Sequence, residues 1–352
     1  MVRTNLGRCG LVLAVLIVAL VAALPLGAAA DNNYTVTLLV SDQPGVATFT
    51  DPNLVNAWGL AASGTSPWWV ADNETSKSTL YNGNTGQPQA LVVSVGMDSG
   101  PTGVVFNNTS GFVVTNGTVS APARFIFDGE DGLIRGWNPT VNATNAVVTP
   151  AMGDPGASYK GLAIAAGMLY AADFHNGVVD VFNGSWSLVD QFTDPGLPNG
   201  YAPFGVQAIG PRIFVAFAKQ DEEGEDEVAG QGLGFVDAFD TAGNLLARVA
   251  QHGQLNAPWG LAQAPADFGR FSGDLLVGNF GDGEINAYEP QANGHFAFRG
   301  QLRDDSGQPI SIDGLWALGF GNGANAGPTN NLFFTAGPDD ETHGLFGRIT
   351  TD

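Results

Sequence analysis

Three oxygen-bearing residues stand at matched places in this sequence, each closing a short apolar run. Asp72 ends Trp69-Val70-Ala71-Asp72, Asp173 ends Tyr170-Ala171-Ala172-Asp173, and Asn279 ends Leu276-Val277-Gly278-Asn279. Brought to one point, Asp72, Asp173 and Asn279 would suit Ca2+ or another divalent cation, which takes carboxylate and amide oxygens. Such an ion polarises a carbonyl or activates water. The alternative is that each side chain caps its own turn by hydrogen bonding to backbone. Asn56, Trp58, Trp259 and Trp316 add amide and indole groups, and the indoles either stack on a ligand or pack between neighbouring elements. His175, in Asp173-Phe174-His175-Asn176-Gly177, is the best placed of four histidines to act as a base, with a hydrogen-bonded turn as its alternative.

The densest charge is the run Asp221, Glu222, Glu223, Glu225, Asp226 and Glu227, six carboxylates in seven residues. Such a charge run reads as a solvated, mobile loop, with a calcium site as the alternative, although the alternating ligand spacing of a calcium-binding loop is absent. No Gly-x-Ser-x-Gly elbow, phosphate-binding loop or dinucleotide fingerprint occurs, and the histidines lack zinc-type spacing.

The elements that must position these residues announce themselves as a repeat. A bulky residue, glycine and an aliphatic residue recur as Trp58-Gly59-Leu60, Thr102-Gly103-Val104, Lys160-Gly161-Leu162, Phe204-Gly205-Val206 and Trp259-Gly260-Leu261, with Trp316-Ala317-Leu318 as the sixth copy. The spacings are 44, 58, 44, 55 and 57 residues. After each anchor come two further strand-like runs, at 68–71 and 79–81, 111–115 and 133–137, 168–171 and 178–182, 213–217 and 235–239, 274–278 and 284–288, and 331–335 and 345–349. Outer strands follow at 90–95, 146–149, 188–192, 245–250 and 296–302. The sixth unit has none before the chain stops. The run at 34–40 is expected to supply it, closing the ring and removing exposed sheet edges.

This pattern predicts an all-β, six-bladed β-propeller, closed by its N-terminal strand pairing into the last blade. Its anchor glycines let inner strands crowd around a narrow channel. In such a ring the entry to each inner strand and the turn between second and third strands share one face. That face would gather Asn56, Trp58, Tyr159, Lys160, Tyr201, Phe204, Asn256, Trp259, Asp313 and Trp316 with Asp72, Asn73, Glu74, Asn116, Asp173, His175, Asn176, Asn279, Asp282, Asp339, Asp340, Glu341 and His343.

The unit is clearest over 160–183, with Gly161-Leu162-Ala163, Leu169-Tyr170-Ala171-Ala172-Asp173 and Val178-Val179-Asp180-Val181-Phe182-Asn183. It resembles the NHL-type propeller repeat. With Asn56-Ala57-Trp58-Gly59-Leu60 and Ala257-Pro258-Trp259-Gly260-Leu261, the whole chain after residue 30 resembles a family of secreted bacterial propellers of uncharacterised function. The resemblance implies the fold and no particular activity. The repeat departs from regularity where the second-strand Asp should recur: Asn116 and Asn279 take its place in two units, and Ala218 and Gly337 in two others.

Arg3 and Arg8, the apolar stretch 11–26 and Ala28-Ala29-Ala30 read as a signal peptide over 1–30, cleaved near Ala30, with an uncleaved anchor as the alternative. Residues 31–352 are then one propeller domain in an extracellular or cell-envelope space. Cys9, the single cysteine, precedes the apolar stretch, so disulfides and thiolate chemistry are excluded from the mature chain. The formal charge of −21 becomes −23 without Arg3 and Arg8, leaving 11 basic against 34 acidic residues. A surface this acidic repels phosphate backbones and anionic lipid, which argues against nucleic acid and membrane partners. The expected function is a scaffold that binds an extracellular glycan, peptide or protein. The alternative is a divalent-metal-assisted lactonase or lyase with its site at the channel mouth.

Overall fold

Short β-branched and aromatic runs separated by glycine turns assemble here into six antiparallel sheets arranged as the blades of a propeller. The computed structural model describes Met1, residues 33–149, Ala151, Gly153 and residues 155–351. The expected signal peptide and cleavage site fall outside the described residues, Met1 apart. No helix among the described residues is long and apolar enough to cross a membrane.

From the channel outward, blade 1 is Ala57–Ala61, Trp68–Asp72, Lys77–Tyr81 and Val93–Ser94, and blade 2 is Pro101–Phe106, Phe125–Gly129, Arg135–Trp137 and Val147–Val148. Blade 3 runs Tyr159–Ala165, Met168–Asp173, Val178–Asn183 and Leu188–Phe192; blade 4 runs Tyr201–Ile209, Arg212–Lys219, Phe235–Asp240 and Leu245–Gln251. Blade 5 is Pro258–Gln263, Leu275–Asn279, Ile285–Pro290 and Phe296–Gln301. Blade 6 is Leu315–Phe320, Leu332–Ala336 and Leu345–Thr351, and its outer strand is Tyr34–Ser41, which pairs antiparallel with Leu345–Thr351 from Tyr34↔Thr351 to Ser41↔Leu345.

Second strands are covered on both faces by neighbouring blades, so Trp68–Asp72 and Leu275–Asn279 are buried at every position. Outer strands meet solvent, and Leu188–Phe192 buries only its last residue fully. The anchor glycines lie where adjacent inner strands touch. A Cβ at Gly59 would overlap the carbonyl oxygen of Thr102 in the next blade, and one at Gly205 would overlap that of Trp259.

Blade 2 departs from the sequence expectation. Its second strand is Phe125–Gly129, whereas Val113–Thr115, within the run assigned to that place, pairs with Ser120–Pro122 as an added hairpin. The reason is burial. A central blade strand needs two apolar faces, which Phe125, Ile126 and Phe127 supply; Val113 and Thr115 are exposed, and only Val114 faces inward. Asn116 therefore sits in the tip of that hairpin, its Oδ1 accepting from Thr118 N at 2.9 Å and Val119 N at 2.8 Å. The register also corrects the other equivalences. Asp72, Asp173 and Asn279 pair with Ala57, Tyr159 and Pro258, and the matching residues in blades 2, 4 and 6 are Gly129, Phe217 and Ala336.

Candidate functional site

The bulky anchor residues meet on the propeller axis. Trp58 stacks on Trp316 with ring centroids 3.5 Å apart and planes 22° from parallel, and Phe204 and Trp259 stand edge-on to Trp58 at 6.2 and 6.1 Å. Phe280 stacks on the other side of Trp316 at 4.1 Å. Trp58, Phe204 and Trp316 are buried, so their rings pack against one another and close the channel as a plug. Trp259 is partly exposed, and its Nε1 donates to the Lys160 carbonyl at 2.7 Å.

On the plug sits Lys160, the anchor residue of blade 3, only 2% exposed. Its ammonium lies 5.5 Å from the Trp58 ring centroid, is ion-paired with Glu130 Oε1 and stands 3.4 Å from Asp226 Oδ1. Glu130 comes from the turn between the second and third strands of blade 2, and Asp226 from the corresponding turn of blade 4. Asn73 of blade 1 donates to Glu130 Oε2 at 2.9 Å. Asn56, just before the first strand of blade 1, donates to Glu341 Oε2 at 2.6 Å and accepts from Trp316 Nε1 at 2.9 Å. Glu341 reaches that position from blade 6 through three consecutive residues of positive φ, Asp339, Asp340 and Glu341, at 55°, 52° and 65°. Left-handed backbone costs a non-glycine residue roughly 1–2 kcal/mol, so the surrounding contacts hold this turn against strain.

The electrostatics follow from four carboxylates sharing one buried cation. Burial works against the Lys160 ammonium, but Glu130, with Asp226 and Glu227 behind it, more than offsets that and holds its pKa above the ordinary lysine value. Burial pushes Glu227 up to about 8; Lys160 opposes the rise, while Glu341 and Asp226 add to it. Glu341 is raised by burial too, with its hydrogen bond from Asn56 opposing and the Glu130 charge adding. At neutral pH the mouth therefore holds fixed negative charge, one internal ammonium and a proton on Glu227.

The proposed metal ligands do not come together. Asp72 accepts from Thr79 Oγ1 at 3.1 Å inside blade 1, and burial keeps its pKa well above the ordinary value. Asp173 accepts from Ser158 N at 3.3 Å, Asn176 N at 3.1 Å and Asn176 Nδ2 at 2.9 Å inside blade 3. Asn279 donates to the Gln254 carbonyl at 2.7 Å and Asp282 Oδ1 at 3.0 Å inside blade 5. Asp173 and Asn279 bond within their own turns, whereas Asp72 is held by the third strand of its blade, and Asp72 Oδ2 and Asn279 Oδ1 are buried without a hydrogen-bond partner. Among the described residues no group of three or more His, Cys, Asp or Glu side chains is arranged to hold a metal ion. These three residues thus do not fit a shared Ca2+ or other divalent ion.

The acidic run folds back on itself. Asp221 N donates to the Asp226 carbonyl at 2.9 Å and Val228 N to that of Lys219 at 2.7 Å, making a short hairpin. It leans on blade 3, where Gln220 Nε2 donates to the Phe174 carbonyl at 2.7 Å and Glu225 Oε1 stands 3.2 Å from His175 Nδ1. Glu222 and Glu223 face solvent. Glu130 escaped the sequence reading because the second strand of blade 2 was placed too early. The Asp128-Gly129-Glu130 turn after Phe125-Ile126-Phe127 was the signal that identifies it.

Below the plug the channel opens differently. A pit of about 320 Å³ is lined by the far ends of the inner strands of blades 1, 2, 3, 4 and 6. Toward the plug it narrows to a space of about 30 Å³ that ends at Trp259.

No protein-family model matches the chain. It is 32% identical over 335 residues to the uncharacterized protein R648 of Acanthamoeba polyphaga mimivirus, spanning 92% of this chain and 82% of that protein. The uncharacterized protein L690 of the same virus is 30% identical over 334 residues, spanning 91% and 86%. Among solved structures, a catalytically inactive virginiamycin B lyase from Staphylococcus aureus with quinupristin matches 91% of this chain and 99% of its own, with a TM-score of 0.53 at 11% identity. The soluble aldose sugar dehydrogenase of Escherichia coli matches 91% and 100%, with a TM-score of 0.51 at 13% identity. Identities this low carry the fold alone.

Proposed function

The chain belongs to the family of the mimivirus proteins R648 and L690, and we propose that it is a secreted binding scaffold of NHL-type blades whose ligand face is the upper end of the central channel. One observation carries the reading: Asn56, Asn73, Glu130, Lys160, Asp226 and Glu341, from five blades, converge over a closed aromatic floor. Charges on such a floor sit in a lower dielectric than at an open surface, so each contact with a ligand counts for more. The group received is a hydrogen-bonding cation, such as the ammonium of an amino sugar or the basic side chain of an extracellular peptide. Lys160, held by a carboxylate and an indole, is the chain's own example of such a group.

The metal-assisted lactonase or lyase reading has less support. It needs an ion where Asp72, Asp173 and Asn279 converge, and these are held in separate blades. Lyase and sugar dehydrogenase activities belong to proteins that share the fold, and a shared fold does not transfer them.

The test is titration calorimetry of the mature protein with chitosan oligomers and lysine-rich peptides, beside the double variant Glu130→Gln, Glu341→Gln. Binding that weakens about tenfold or more in the variant is expected. Equal binding by the variant, or blank glycan and peptide arrays, overturns the reading. Secretion is tested separately by N-terminal sequencing of the exported chain, which should begin at Asp31.

A further inference from the structure

We infer that the whole upper face of the ring, and not the channel mouth alone, is a docking surface for a polybasic peptide segment. One lysine of the segment enters the mouth while its neighbours pair with acidic turns around the rim. The inference rests on the reading of the mouth as a cation site and adds the class of partner.

The distribution of charge carries it. The turns between second and third strands lie on the upper face, and those between first and second or third and fourth strands lie on the lower face. The upper turns, 73–76, 130–134, 174–177, 220–234, 280–284 and 337–344, hold fourteen acidic residues and no lysine or arginine. The lower turns hold two acidic residues, Asp267 and Asp274, and two basic ones, Arg124 and Arg270. Acidity that served solubility alone would have no reason to choose one face.

An independent feature points to the same chemistry. At the centre of the upper face the chain places an ammonium of its own, Lys160, which is 2% exposed, lies over the Trp58 ring and is ion-paired with Glu130. A lysine is thus the group this floor accommodates. Around it the rim keeps unused charge: Glu74, Glu222, Glu223 and Asp340 are exposed and form no ion pair among the described residues. The 220–234 hairpin joins the two zones, since Asp226 turns in toward Lys160 while Glu222 and Glu223 at its tip face solvent.

The geometry favours a peptide over an amino-sugar polymer. The upper turns run from four to fifteen residues, so no constant repeat relates their carboxylates. The flexible four-carbon stem of lysine adapts to such spacing and carries its ammonium past the rim. The amines of a glycan are fixed to stiff rings at a regular interval. Carboxylates gathered on one face also attract and orient a basic segment before contact, an effect that salt screens.

The probes are two nine-residue peptides, one with a single central lysine among serines and one with five lysines alternating with serines, measured by surface plasmon resonance on the full chain. At about 50 mM salt the five-lysine peptide should bind about tenfold or more tightly than the single-lysine peptide, and the advantage should vanish at about 1 M. The triple variant Glu222→Gln, Glu223→Gln, Asp340→Asn should weaken the five-lysine peptide about fivefold or more and leave the single-lysine peptide unaltered. The triple variant Asp190→Asn, Asp267→Asn, Glu289→Gln removes the same charge away from the upper turns and should change neither. Equal losses in the two triple variants would mean attraction by overall charge and overturn the inference. So would a chitosan oligomer of equal charge that binds more tightly than the five-lysine peptide. Binding of the single-lysine peptide with no gain from added lysines overturns this inference and leaves the mouth reading standing, whereas blank responses to both peptides take the mouth reading down with it.

Discussion

The two ends of the central channel are built from the same six inner strands and differ in almost every chemical respect. The upper end carries Glu130, Lys160, Asp226, Glu227 and Glu341, delivered by loops and one anchor position. The lower end has walls from Leu60, Val104, Leu318 and their neighbours, with Gln207 as its free amide. The difference teaches where a propeller varies. Strand positions are constrained by packing between blades, so the lower pit carries no charged side chain. The upper turns are free to add residues, and the acidic hairpin of blade 4 and the left-handed turn of blade 6 are such additions.

The largest expected effect comes from removing what separates the ends. Trp316→Ala deletes a fully buried ring stacked on both Trp58 and Phe280 and should cost about 3–5 kcal/mol in denaturant unfolding. A loss below about 1 kcal/mol would break the picture of a tightly packed plug.

Lys160→Met comes next, at about 3 kcal/mol at pH 7, because it strands Glu130 and Asp226 beside Glu227 and Glu341 without a cation. The loss should shrink at pH 5, where Glu341, raised by burial, protonates more readily. A loss that is the same at both pH values would mean that packing, rather than charge, holds the mouth together.

The pH dependence sharpens the contrast without any substitution. Glu227 has a folded pKa near 8 against an ordinary 4.5, so between these values the folded chain keeps a proton that the unfolded chain gives up. Its contribution to stability is therefore fully present below about pH 4.5 and is lost as pH rises through 8. Buried Asp128, raised to about 7 by burial against its hydrogen bonds from Gly103 and Thr102, acts in the same direction from 3.8 upward. The melting temperature should fall from pH 5 to pH 8, and Glu227→Gln should flatten that slope.

The smallest effect tests the strand order of blade 2. Asn116→Ala should cost about 1 kcal/mol, by removing the turn hydrogen bonds from Thr118 N and Val119 N, and should leave ligand binding at the mouth unaltered. Weakened binding at the mouth would restore Asn116 to the ligand face.

Much of the architecture was legible in advance because it is local. A strand, its turn and its glycine each depend on residues within a few positions, so six anchors and their following runs were enough for an all-β, six-bladed ring. The reading failed where two strand-like runs competed for one place. Gly111-Phe112-Val113-Val114-Thr115 has the composition of a strand, and only two-sided burial distinguishes Phe125–Gly129 as the one that enters the blade. The chosen metal ligands failed for a related reason, since each is engaged first by residues of its own blade, Asp72 by Thr79, Asp173 by Asn176 and Asn279 by Asp282.

By itself, then, the sequence determined the repeat, the closely approached glycines, the acidity and the aromatic anchors, all of which rest on residue type and short spacing. Tertiary structure alone decided which charges meet. Glu130 and Lys160 are 30 residues apart, Lys160 and Asp226 are 66 apart, and Asn56 and Glu341 are 285 apart. No local pattern encodes those encounters, because they depend on the ring closing and on the length and handedness of each turn at its upper edge.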